Sequence, residues 1–70
     1  MILASSELLI VFYVGKDGLK YLLNRMQDEY SHFYEMNISL PKNGVREVHI
    51  SFSSKDYEYF SDIVKSSLAL

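Results

Sequence analysis

Asp28, His32 and Glu35 are the residues of this chain whose types and spacing come nearest to a reactive group: on a helix they share one face at i, i+4 and i+7, and together they are of the kind that holds a divalent cation. A wet helix face supplies nothing to orient the imidazole, so the expectation is that no metal is held there. His49 is expected on an open sheet face, as a surface or interface residue rather than a ligand. There is no cysteine, hence no thiolate nucleophile, thiolate metal site or disulfide. With three glycines in all, the chain carries no phosphate-cradling loop and no glycine-rich dinucleotide turn, and no Ser-His-Asp spacing is recognisable. Seventy residues without a pocket-forming insertion point to a protein that is not an enzyme and needs no cofactor.

The acidic residues carry more information. The stretch NRMQDEYSHFYE, residues 24–35, reads as the second half of a helix that begins at Asp17. Asp28, Glu29 and Glu35 then crowd the C-terminal end, where the helix dipole is negative, while Lys16 and Lys20 flank the positive end. Charges that oppose the dipole suggest a surface with a use. Local pairing of Arg25 with Glu29 and of Asp28 with His32 is the simpler account of the same residues.

The elements that must position these groups follow from periodicity. Nearly half of the chain is apolar and ten residues are Tyr or Phe, so it folds, as one domain over residues 1–70. The apolar run LLIVFYV, residues 8–14, reads as a strand covered on both faces. From Asp17 to about Glu35 the residues Leu19, Leu22, Leu23, Met26, Tyr30, Phe33 and Tyr34 form one helical stripe. Residues 36–41 alternate, with Met36, Ile38 and Leu40 on the inner side. Asn43-Gly44 is a hairpin signal, because both residues tolerate positive φ, and Val48, Ile50 and Phe52 resume the alternation on a third, antiparallel strand. Ser53 or Ser54 is expected to cap a last helix, with Asp56 in its first turn and Tyr57, Phe60, Val64 and Leu68 facing inward. The order β-α-β-β-α predicts an α+β two-layer sandwich, a three-stranded sheet with two helices on one face.

Element directions gather Glu7, Asp28, Glu29, Glu35, Asp56, Glu58 and Asp62 at one pole against Lys55 alone. Lys16, Lys20, Lys42, Arg46 and Lys65 lie toward the other. A chain of net charge −2 thus becomes polarised. Tyr21 and Tyr59 are expected to stand exposed among the carboxylates as anchors for a partner. On the open sheet face Leu9, Val11 and Tyr13 form an apolar stripe, read as the interface of a homodimer; a fold-back of Met1–Leu3 over the stripe is the alternative. The opening residues lack a signal-peptide pattern and the longest apolar run is too short for a bilayer, so a soluble cytoplasmic protein is expected, with no membrane partner. The negative charge argues against direct nucleic-acid binding.

Three resemblances add to this reading. KDGLKYLLNRMQDEY followed by MNISL resembles ACT-type regulatory domains at Asp17-Gly18-Leu19 and Asn37-Ile38, which implies a small-molecule-binding domain with its ligand near that turn. ISFSSKDYEYFSDIVKSSL is similar to the end of DinI-type proteins, which implies that Asp56, Glu58 and Asp62 meet a DNA-binding recombinase. In size, aromatic content and acidic pole the chain resembles small bacteriophage DNA-mimic dimers that inhibit the nucleoid protein HU. The last two imply one mechanism: obstruction of a basic DNA-binding surface by Asp28, Glu29, Glu35, Asp56, Glu58 and Asp62, with Tyr21 and Tyr59 as anchors. An ACT-like regulatory domain, or an interaction module that uses the apolar sheet face, is the competing expectation.

Overall fold

A computed structural model describes residues 6–70. The elements are β1 (Glu7–Val14), α1 (Lys16–Met26), β2 (Tyr34–Ile38), β3 (Arg46–Ser53), a 3-10 turn (Ser54–Asp56) and α2 (Tyr57–Leu68). The last strand in sequence lies in the middle of the sheet, in the order β1-β3-β2, antiparallel to both neighbours. β1 and β2 therefore point the same way, as a β-α-β unit requires, but β3 separates them. Its central place agrees with the full burial of Val48, Ile50 and Phe52.

One parity of each strand faces the helices. Phe12 and Val14 from β1 join Val48, Ile50 and Phe52 from β3, Leu22 and Met26 from α1, and Phe60, Ile63 and Val64 from α2 in one core. Leu8, Ile10, Tyr34, Met36 and Ile38 pack at its margin. The other parity of β1 places Leu9, Val11 and Tyr13 on the exposed face, so this strand is covered on one side rather than two. Both helices consequently lie on the same face of the sheet. Gly18 brings them together: a Cβ at that position would stand 2.5 Å from the carbonyl oxygen of Ser67 and 3.3 Å from Cβ of Val14.

The hairpin forms as its sequence demands. Asn43 and Gly44 have φ of 55° and 78°, the left-handed pair of a type I′ turn, closed by reciprocal backbone bonds between Lys42 and Val45 of 2.8 and 3.0 Å. Between that bridge and the Ile38↔Val48 pair, the β2 side carries one residue more than the β3 side, which makes a bulge at Leu40 and Pro41. Ser39 holds the bulge, its Oγ accepting from the Glu47 N–H at 2.8 Å while its carbonyl accepts from Arg46 Nη1 at 3.2 Å. Leu40, expected inside, is thereby exposed.

Two helical expectations need correction. α1 ends at Met26, nine residues before Glu35. Beyond it the Glu29 carboxylate accepts the backbone N–H groups of Ser31 and His32 at 2.8 and 2.9 Å, a local turn that takes the donors a longer helix would need. Tyr34 belongs to the alternation Tyr34, Met36, Ile38, and its hydroxyl donates to the Met26 carbonyl at 3.3 Å. In α2 the buried side is Phe60, Ser61, Ile63, Val64 and Ser67, so Tyr57 and Leu68 are exposed. Ser53 and Ser54 open a 3-10 turn and provide no side-chain cap to α2; Asp56 holds the N-cap position without a capping bond.

Candidate functional site

With α1 shortened, its acidic residues no longer oppose its dipole, though Lys16 still stands at its positive end. Asp17 stands in the first turn and Arg25 in the last, and α2 repeats the arrangement with Glu58 and Lys65. Asp28, Glu29 and Glu35 lie beyond the helix, on the connection to β2 and on β2 itself. Helix geometry therefore does not set where these three carboxylates lie.

That pole gathers the starts of β1, β2 and α2 and the connection that follows α1. Glu7 and Glu35 rim one shallow depression with Phe33 and Ser53; Asp56 and Lys55 rim a second with Ser31, His32 and Phe33. Asp28, Glu58 and Asp62 are exposed nearby on the connection and on α2. An aromatic cluster supports this surface. Phe60 stacks on Phe52 with centroids 4.7 Å apart, and Tyr34, Tyr59 and His32 meet it at 5.8, 5.1 and 5.8 Å. His32 in turn stacks on Tyr59 at 4.1 Å.

Glu29 faces inward and binds this cluster together. Its side chain is only 6% exposed. It accepts from the Tyr59 hydroxyl, from the His32 ring at 3.0 Å and from the two backbone N–H groups of its own turn. The Tyr59 hydrogen bond, then that from His32, holds its carboxyl down to about 2; the same contact raises the Tyr59 phenol. His32 Nε2 lies 3.9 Å from Asp56, and the Arg25 guanidinium sits 6.0 Å from the Tyr59 ring centroid. The expected Asp28–His32 and Arg25–Glu29 pairs are replaced by these contacts. Asp28, His32 and Glu35 share no helix face, and among the described residues no cluster of His, Asp and Glu is arranged to hold a metal ion.

Of the eight residues expected to meet a partner, Asp28, Glu35, Glu58 and Asp62 are exposed and Asp56 is partly so. Glu29 and Tyr59 are occupied with one another, and Tyr21 and Tyr59 are half-buried rather than exposed. The most exposed aromatics of the pole are instead Tyr30 and Phe33, 87% and 95% accessible, which the helical stripe had assigned to the core, with Tyr57 half exposed beside them at the start of α2. The alternation that runs back from Ile38 through Met36 to Tyr34 was the signal that strand, and not helix, occupies this segment. Elsewhere, Tyr13 donates to Glu47 at 2.9 Å and His49 Nε2 lies 2.8 Å from the same carboxylate, which these bonds hold below its usual value; His49 is thus a member of the open-face network. At the turn singled out by the ACT resemblance, Gly18 is buried against Val14 and Ser67. No helix among the described residues is long and apolar enough to cross a membrane.

No protein-family model, curated protein or solved structure matches the chain.

Proposed function

We propose that this protein is a non-enzymatic inhibitor whose acidic pole imitates DNA and occupies the binding surface of a basic bacterial DNA-binding protein of the HU kind. The observation that carries this reading is the exposure of Asp28, Glu35, Glu58 and Asp62, with partly exposed Asp56 and nearly fully exposed Tyr30 and Phe33, on elements and a connection that start or end at one end of the fold. Carboxylates spaced over a rigid aromatic support offer a lysine- and arginine-lined cleft the charge pattern of a phosphate backbone. They also speed its approach, with an effect that fades as salt screens it. Exposed aromatic side chains supply contact area at small entropic cost, the usual character of binding anchors. Tyr30 and Phe33 take that part, in place of Tyr21 and Tyr59. The bacterial cytoplasm is where such a partner is met.

The test is displacement of a labelled DNA duplex from purified HU by this protein. Reversing Asp28, Glu35 and Asp62 to lysine together is expected to weaken displacement at least about tenfold, or ~1.4 kcal/mol, with the fold retained by circular dichroism. Equal potency of the folded variant would rule the reading out.

A further inference from the structure

Besides the acidic pole, the molecule has a second unsatisfied surface, and its hydrogen-bonding parity can be read directly. The Ser54 N–H donates to the Ser6 carbonyl at 2.8 Å, and these two residues continue the β1–β3 register one step beyond Glu7↔Ser53. In an antiparallel ladder the bonded residues alternate, so the even-numbered residues of β1 turn their backbone groups toward β3. The odd-numbered residues Glu7, Leu9, Val11 and Tyr13 turn theirs outward. Among the described residues no strand pairs with that outer edge. The same residues carry the exposed apolar stripe, so one set of positions presents both free backbone groups and apolar side chains.

We infer that β1 pairs antiparallel with β1 of a second copy of this chain, joining two three-stranded sheets into one of six strands. Three features of the strand favour a second copy as its occupant. From Leu8 to Gly15 the edge contains no charge, no proline and no bulge, so none of the usual obstacles to strand addition is present. A register that pairs Leu9 with Val11 and Glu7 with Tyr13 of the other copy satisfies all four outward residues of both strands. It also sets apolar Leu9 beside Val11 on the open face, with Glu7 beside Tyr13 at the ends of the pairing. Finally, antiparallel pairing lays the pole of Glu7, Glu35 and Asp56 in one copy alongside the pole of Lys16, Lys42 and Arg46 in the other, so the polarised charge of each protomer attracts its neighbour. The inference does not rest on the function proposed above, although Glu35 and Asp56 take part in both.

Sedimentation equilibrium combined with amide hydrogen exchange tests it. The expected result is a dimer in which the N–H groups of Leu9, Val11 and Tyr13 are protected, with protection lost on dilution to the monomer, while those of Leu8, Ile10 and Phe12 stay protected throughout. Val11→Pro deletes one outward N–H and leaves the β1–β3 bonds intact, and it is expected to yield a folded monomer. A wild-type protein that remains monomeric at about 200 μM, or a dimer whose Leu9, Val11 and Tyr13 amides exchange freely, overturns the inference even if the proline variant fails to fold.

Discussion

Glu29 shows how one carboxylate can serve structure where sequence suggested a contact. Four hydrogen bonds converge on it, and they include the Tyr59 hydroxyl from α2, so it ties the connection after α1 to the other helix. Because its pKa falls from 4.5 to about 2 on folding, the unfolded chain binds more protons than the folded one between those values. The stability it supplies is therefore complete above about 4.5 and is lost as pH drops toward 2. Glu29→Gln is expected to lower stability at pH 7 and to flatten the pH dependence across that window; urea titrations of both proteins at pH 7 and pH 3 check it. Parallel acid limbs would mean that the carboxylate contributes nothing in its charged form. The sequence made Glu29 visible as an acidic residue at the right pole. It could not disclose that the side chain turns inward, because that depends on Tyr59, thirty positions away and on another element.

Among the elements, the hairpin and the two long strands were legible because local chemistry decides them. Asn43-Gly44 needs only its own φ preferences, and Val48, Ile50 and Phe52 need only a period of two. The extent of α1 was not legible, since Tyr34 satisfies a helical stripe through Tyr30 and Phe33 as well as it satisfies an alternation through Met36 and Ile38. Pairing of Tyr34 with Phe52 across the sheet resolves the choice, and that is a contact between distant parts of the chain. The inner side of α2 turned for a related reason: Ser61 and Ser67 are buried, and small polar residues give no hydrophobic signal. Ser67 donates to the Ile63 carbonyl at 2.9 Å, which pays for its burial, and its own carbonyl abuts Gly18. Gly18→Ala accordingly sets a gain in helix propensity of about 1 kcal/mol against overpacking of about 1–3 kcal/mol. A net loss of stability is expected, read as a fall in Tm of a few degrees by thermal denaturation. A rise in Tm would show that α1 and α2 separate at little cost.

At the scale of the whole molecule, element directions alone brought the starts of β1, β2 and α2 to one end with their carboxylates, but they did not disclose that Arg25 reaches the Tyr59 ring or that Tyr30 and Phe33 stand exposed. Tyr30 and Phe33 are so exposed that replacing both with serine is expected to shift the melting temperature by no more than about 4–8 °C, since surface substitutions rarely exceed about 0.5 kcal/mol each. Displacement of DNA from HU by that variant is expected to weaken severalfold. Unaltered displacement would assign recognition to the carboxylates alone. The central position of β3 has a consequence for how the chain reaches this form. Among the described residues every sheet hydrogen bond of β1 and of β2 is made to β3, so neither strand has a partner there until residues 46–53 have been synthesised. A nascent chain can form the first helix early, but its sheet closes only around its last strand, across a loop containing α1, β2 and the hairpin. Sheet formation is therefore late, and during synthesis the apolar β1 waits unpaired, the interval in which the chain is most open to misassociation.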